Sequence, residues 1–517
     1  MAPQWGKPAV SEVLFWDFDP AHELFAMDLV AKGAVPWRDF FWHYGPLPLQ
    51  MAAKLASVCG DLLVGWRWYF WGWGTLCILL VYAVTRRVFG PSLVAASIAL
   101  LAVAMQVGGA GRLPIGMEIA ALFSLALMWR PPVERSFRSL WLVGALMGVM
   151  QSIKFGGAFF AGLAWLLTDL VHLFGTKKFR DTWRSWFMQN FSILAGFLIL
   201  QGALALWAYA KAGGAAMEFL WPAYHLSWYD SYVEETGIRW PEFVSVNFFL
   251  TYQWPLVLGF FGGACAAWGI CRRWRRMASN RATVMKGRES LVFLWLFFVL
   301  GCLAYFSQGN NIMTYGGLLL PCIGICWTLL PSRLWRWLMV ASLLPAIIIL
   351  PVNVMRGIQG TSREPLIQDR TPAGIELWMT EHEWNLVAEL EELLGPLKNP
   401  DGPPPTVLVP DALGSGYYLH HQVLPAMRVT WFGRPNAIPA HEVPQSLAAT
   451  LRSDALIFRG VSAETMEHDI DELRRIFARR LPFEFDLSIE IMQRFGSPRR
   501  SPAGWLVFYP ETTSQSE

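Results

Sequence analysis

Long apolar blocks separated by short charged loops dominate the first two thirds of the chain, and a more polar stretch with short apolar runs fills the last third. Ten of the blocks, at roughly 66–85, 91–107, 112–129, 140–154, 157–174, 188–209, 248–271, 290–307, 312–330 and 337–352, approach the about 20 residues that a bilayer-crossing helix needs. The short pair 140–154 and 157–174 is expected to be tilted or partly re-entrant. Ahead of them, residues 1–65 hold no convincing span. Two amphipathic helices are predicted there, lying on a membrane surface. One runs from about Pro20 to Lys32, with Asp19 as N-cap, Pro20 at the first helical position and Gly33 as the C-terminal signal. The other runs from about Leu47 to Val58 and closes at Gly60.

After residue 353 the pattern changes. A linker (SREPLIQDRTPAG) precedes a helical run near Ile375–Leu394 and a proline-rich break at 400–405. TVLVP (406–410), ALIFR (455–459) and WLVFY (505–509) read as buried strands, with a polar amphipathic helix near Glu464–Arg479. The expected architecture is therefore an all-α polytopic membrane bundle of about ten spans plus two juxtamembrane helices, followed by a soluble α/β domain. Its divisions are 1–65, 66–352 and 353–517.

Composition agrees with this pattern: 54% of residues are hydrophobic and 16% charged, and mean hydropathy is +0.34. A net charge of +3 gives no reason to expect a nucleic-acid partner. The charges matter through their placement. Loops after the first, third, fifth, seventh and ninth spans hold 18 lysines and arginines, and the alternate short loops hold Arg112, Lys211 and Arg239. By the positive-inside rule the 16–46 and 210–247 loops and the tail lie outside the cytoplasm. Residues 1–12 show no cleavable signal. The 7 cysteines all fall in or beside apolar segments, without zinc or disulfide spacing, so no metal centre is expected from them.

Candidate chemistry concentrates in WDFDPAHELFAMDLVAKGAVPWRDFFWHYGP (16–46), which interleaves aromatic residues with Asp17, Asp19, His22, Glu23, Asp28, Arg38, Asp39 and His43. Asp19 reads either as a helix cap or as a reactive carboxylate; Asp17 has no capping role to explain it. His22 and Glu23 read as a solvated helix face or as contacts to an acceptor or metal. Arg38 and Asp39 read as a local ion pair, or as a phosphate-reaching cation and its neighbour. His43 begins a turn. Arg67, Arg112 and Lys154 lie near span ends, where a cation either snorkels or lines a cavity, and Gly156-Gly157 beside Lys154 leaves room for a ligand. Glu118 reads as a partner for Arg112. In the tail, Gly414-Ser415-Gly416 is too short a signal for a phosphate loop, and His420-His421 lack ligand spacing.

This text resembles the GT-C superfamily of membrane glycosyltransferases, in particular bacterial relatives of dolichyl-phosphate-mannose protein mannosyltransferases and aminoarabinose transferases. The matching positions are Asp17 and Asp19, then Gly33, Pro36, Trp37, Arg38, Asp39 and Phe40, then Gly45, Pro46 and Leu47. QSIKFGGAFF (151–160) and MTYGGLLLP (313–321) are similar to later family spans. Members carry a span just before the acidic loop, which residues 1–15 do not supply, and D-F-D-P replaces the usual acid pair. The resemblance implies sugar transfer from a polyprenyl-phosphate donor to a lipid, glycan or protein acceptor outside the bacterial inner membrane. Asp17 or Asp19 would be the base. Arg38, Asp39, His43, Glu23, Lys154, Arg67 and Arg112 would contact substrate. No resident cofactor is implied, and a divalent cation is compatible. The alternative is a lipid-linked sugar transporter or an inactive scaffold. A transporter would carry polar residues through mid-span, whereas here they cluster at span ends.

Overall fold

The computed structural model describes residues 18–40, 42, 44–89, 115–129 and 139–154, isolated positions between 158 and 173, and then 179–217, 366–370, 375–410, 414–427, 443–459, 461, 465, 468–481 and 483–511. The expected spans at 91–107, 248–271, 290–307, 312–330 and 337–352 lie outside these residues, as do Asp17, His43 and Arg112.

The first helix, α1, spans Phe18–Ala31 and ends at Gly33, whose φ of 94° only glycine adopts freely. It starts two residues earlier than expected. Asp19 therefore sits inside its first turn and is not its cap. Residues 21–27 are all buried, from Ala21 through Met27. Seven consecutive positions at 100° each cover the whole circumference, so this half of α1 is enclosed on every side and is not an amphipathic surface helix. Helix α2 (Pro46–Cys59) has proline in its first turn and closes on Gly60 in the left-handed conformation (φ 69°), as its sequence predicts.

Four apolar helices follow among the described residues: α3 (Leu62–Phe89), α4 (Ile115–Trp129), α5 (Leu140–Ile153) and α6 (Phe179–Ala212), the last continued by a 3₁₀ turn over Gly213–Ala216. Their centres match the expected spans, and α3 and α6 run past the expected ends. Among the described residues only Trp183–Ala216 is both long and apolar enough to cross a membrane by itself, and Leu140–Ile153 is a shorter apolar helix. Trp183, Phe187, Phe191, Leu194 and Leu198 stay exposed along α6 at helical spacing. Helices α5 and α6 touch backbone to backbone: a Cβ on Gly144 would fall 1.8 Å from the Ile193 carbonyl oxygen, and one on Gly196 would fall 1.9 Å from that of Trp141. Glycine at these positions is what allows the close approach.

The tail begins with an antiparallel pair, β1 (Leu366–Arg370) and β2 (Glu376–Thr380). The expected linker is thus partly a strand, and the helical run expected from Ile375 starts only at Glu381. Helix α7 (Glu381–Leu394) opens with a capping box, the Thr380 hydroxyl accepting from the Glu383 N–H and the Glu383 carboxylate from the Thr380 N–H. Then follow β3 (Thr406–Leu408), α8 (Gly414–His421), β4 (Leu424–Pro425), α9 (Val443–Thr450), β5 (Ala455–Phe458), α10 (Ile470–Ala478), α11 (Phe485–Gln493), β6 (Arg499–Arg500) and β7 (Leu506–Phe508). The three strands read from the sequence are β3, β5 and β7. The amphipathic helix is shorter than expected because Asp469 caps it, accepting from the Glu472 N–H at 2.8 Å.

The sheet order is β4-β3-β5-β7-β6, with β3 parallel to β4 and β5 and with β7 antiparallel to β5 and β6. Phe458, Phe477 and Phe508 pack together over one face. On the other, the Trp505 indole donates to the Leu386 carbonyl (2.9 Å) and the Tyr509 hydroxyl to that of Leu393 (2.6 Å), which fixes α7.

Candidate active site

Three pieces of chain distant in sequence meet around α1. The first is the turn that follows it. Asp39 accepts the Val35 N–H at 2.8 Å, and Arg38 lies on the same carboxylate through two contacts, Nε to Oδ1 at 2.8 Å and Nη2 to Oδ2 at 2.7 Å. This is the local ion pair expected of the two residues. The Arg38 hydrogen bonds hold the Asp39 carboxyl below its ordinary range, against a smaller opposing effect of partial burial. Arg38 also reaches the Lys211 carbonyl oxygen at the end of α6, at 3.4 Å.

Trp37 fixes this turn. Its φ is 67°, a left-handed conformation uncommon for an aromatic residue, yet it is only 1% exposed. The ring packs against Ala208, Ala212 and Ala216, small residues at helical spacing along the end of α6, and Nε1 donates to the Trp42 carbonyl oxygen at 3.0 Å. Burial of an indole and its hydrogen bond offset a backbone strain of about 1–3 kcal/mol. Trp42 in turn donates from Nε1 to the Gly45 carbonyl oxygen at 3.1 Å.

The second piece is the end of α5. The Gly45 N–H donates to the Ile153 carbonyl oxygen at 2.9 Å, and a Cβ on Gly45 would stand 1.6 Å from the Ser152 carbonyl oxygen. Lys154, the residue that ends α5, is buried at 5% exposure and carries its ammonium 5.5 Å from the centroid of the Tyr44 ring. Among the described residues it is the only lysine or arginine that is fully buried. A cation named from sequence as a substrate contact thus lies against the loop named as catalytic.

Helix α1 itself brings His22 and Glu23 into the interior, each 2% exposed, which overturns the solvated-face reading. His22 stacks on Trp42, ring centroids 5.5 Å apart at 22°, and burial lowers its pKa to about 4, so the imidazole is neutral at physiological pH. Glu23 lies close enough to the Tyr69 hydroxyl to act on it electrostatically. That hydroxyl donates a short hydrogen bond to Glu118, a wholly buried carboxylate on α4 whose Oε2 has no hydrogen-bond partner among the described residues. A second carboxylate facing α3 was not singled out from sequence as a site residue. Its only signal was a glutamate in the first turn of an otherwise apolar helix. Arg67 is half-buried on α3, one helical turn from Phe70 and Trp71.

The tail is the third piece. Helix α8 packs on α1, with the Tyr418 and Phe25 rings 5.5 Å apart, and the Tyr418 hydroxyl accepts the Val409 N–H at 3.0 Å. His420 and His421 are buried at the end of α8, and His421 Nδ1 lies 2.8 Å from Glu391, which also holds Lys398. His421 serves this contact between α8 and α7. Among the described residues no group of three histidine, cysteine or acidic side chains has the spacing to hold a metal ion.

No family model matches the chain, and no curated protein is similar to it. Solved structures similar to it include the oligosaccharyltransferase of Archaeoglobus fulgidus in complex with Zn and sulfate, at 12% identity, a TM-score of 0.48, and coverage of 97% of this chain and 72% of that one. ArnT of Cupriavidus metallidurans bound to undecaprenyl phosphate is 14% identical with a TM-score of 0.48, over 97% of this chain and 96% of that one. The same protein in its apo state gives 13% and 0.49 over the same shares.

Proposed function

We propose that this chain is an integral membrane glycosyltransferase that moves a sugar from a polyprenyl-phosphate donor to an acceptor on the outer face of the inner membrane. The observation that carries the reading is the seat of Lys154: a buried ammonium beside Tyr44 and Gly45, where the acidic loop docks on the end of α5. In low-dielectric surroundings a fixed cation stabilises a departing phosphate far more than a solvated one would.

In this mechanism Asp19 or Asp17 takes the proton of an acceptor hydroxyl. The acceptor oxygen bonds to the anomeric carbon from the face opposite the phosphate as the carbon–oxygen bond to phosphate breaks. The electron pair leaves on the phosphate, which Lys154 receives. Because a lipid phosphate already leaves readily, no general acid is required. Arg38, held by Asp39 in the same loop, supplies a second cation for the donor. Glu23, Asp39, His43, Arg67 and Arg112 are proposed as contacts to sugar or acceptor. The outward placement of the loop and tail follows from the lysine and arginine bias of the loops.

The test is transfer of labelled sugar from polyprenyl-phosphate donors by the purified protein in liposomes, compared with Asp17→Ala, Asp19→Ala and the double variant. Loss of turnover in the single variant of the true base, with donor still bound, is expected. Undiminished transfer by the double variant would remove this mechanism.

A further inference from the structure

A phosphate that is to meet Lys154 has to reach a side chain only 5% exposed, so part of the structure must move to admit it. The turn over 35–39 is suited to that. It is bonded to itself: the Trp37 N–H donates to the Phe40 carbonyl oxygen at 2.8 Å and the Asp39 N–H to that of Val35 at 2.9 Å. The Val35 N–H returns to the Asp39 carboxylate at 2.8 Å. A turn closed in this way keeps its shape when it swings. Gly33, exposed and at φ 94°, stands just ahead of it and supplies the backbone freedom of a hinge.

Two contacts fasten the turn to α6. In the first, the Trp37 ring lies on Ala208, Ala212 and Ala216, with Val35, Trp207 and Ala215 packed at its edge. Among the described residues this apolar cluster shares no member with the core that holds Phe40, Trp42 and Tyr69. Withdrawal of Trp37 therefore leaves that core packed. The second contact is weak: Arg38 Nη1 meets the Lys211 carbonyl oxygen at 3.4 Å, from an exposed position. Against both stands the left-handed backbone of Trp37, φ 67°, a strain that withdrawal relieves. Terms opposed in this way make a local two-state element, whose opening costs far less than unfolding.

The same indole is tied to the seat of Lys154. Its Nε1 donates to the Trp42 carbonyl oxygen at 3.0 Å. Trp42 stands edge-on to the Tyr44 ring at 5.5 Å, and Tyr44 lies 5.5 Å from the Lys154 ammonium. Lifting Trp37 off α6 takes a donor from Trp42 and unsettles Tyr44 with it.

We propose that residues 35–39 form a lid, latched by Trp37 on the end of α6, whose opening gives a phosphate-bearing ligand access to Lys154. The identity of the ligand rests on the transferase reading; the motion of the lid is measured without donor, acceptor or turnover.

The full chain in phosphatidylcholine discs is treated with sulfosuccinimidyl acetate, a water-soluble amine reagent. Mass spectrometry follows acetylation of Lys154 against that of the exposed Lys32 and Lys54. Hydrogen exchange is followed over 34–40 and, for reference, through α3 and α4. Trp37→Ala removes the latch. Ala212→Leu keeps the indole and crowds the surface it rests on, which gives a second route should the first variant fold poorly. Both variants are expected to acetylate Lys154 at least tenfold faster relative to Lys32 and Lys54. Exchange should quicken over 34–40 and stay unchanged in α3 and α4. Quicker exchange with Lys154 acetylation unaltered overturns the proposal, as does unaltered exchange over 34–40. Loosening that spreads equally through α3 and α4, or loss of the fold in both variants, makes Trp37 a structural staple and overturns it too. A wild type that transfers no sugar counts against the transferase reading and leaves these rates as they are.

Discussion

The ammonium of Lys154 stands 5.5 Å from the centre of the Tyr44 ring, although 109 residues separate the two in the chain. This pairing ties the polar loop to the bundle at the position where the proposed reaction needs a cation. Lys154→Met keeps the apolar stem and removes the charge. It is expected to lower turnover about 10²–10³-fold, the usual loss when one charge-stabilising donor is deleted. Labelled-sugar transfer measured at saturating acceptor checks this, and Lys154→Arg should recover part of the loss.

Gly45 tests the docking itself. With 1.6 Å between its hypothetical Cβ and the Ser152 carbonyl oxygen, Gly45→Ala cannot be accommodated without moving backbone. The variant is expected to be destabilised by about 1–3 kcal/mol. Transfer should fall with it, because the Gly45–Ile153 hydrogen bond is the hinge of the contact. Thermal unfolding in detergent and transfer assays on the surviving fold read the two effects separately.

Burial lowers the pKa of His22 from 6.5 to about 4. The unfolded chain therefore binds the proton first as pH falls. The contribution of this residue to stability is complete above pH 6.5 and is lost progressively as pH drops toward 4. Two to three pKa units correspond to an effect on the order of 3 kcal/mol. His22→Phe, which can still stack on Trp42, should flatten the slope of unfolding free energy between those pH values. An unchanged slope in denaturant titrations would show that other groups carry it.

Asp39 separates structural from chemical roles in the exposed turn. Asp39→Asn retains an acceptor for the Val35 N–H and weakens the hold on Arg38. Exposed pairs contribute at most about 1 kcal/mol, so melting should barely shift. If Arg38 contacts donor phosphate, the donor KM rises severalfold with kcat nearly intact. Steady-state kinetics over a range of donor concentrations gives that split.

Much of the local structure was written in short-range signals. Gly33 and Gly60 end their helices with positive φ, proline opens α2, and three apolar runs of four or five residues became β3, β5 and β7. The Arg38–Asp39 pair was legible for the same reason, since neighbours in sequence are neighbours in space. Long-range burial was not. His22 and Glu23 are polar positions of a helix that reads as amphipathic, and nothing in residues 18–31 announces that α8 will pack against it. Glu118 was hidden likewise: its partner Tyr69 lies on another helix, and no periodicity encodes that meeting. The strand β1 was missed because polar residues fill three of its five positions, so its partner strand rather than its own pattern defines it.

Tyr418 against Phe25 joins the last part of the chain to the first. Synthesis runs from one to the other, so α1 waits without its cover until the tail has emerged and folded. A product cut short before β3 would leave that helix open to proteases, and completion of the far terminus becomes a checkpoint for maturation of the near one.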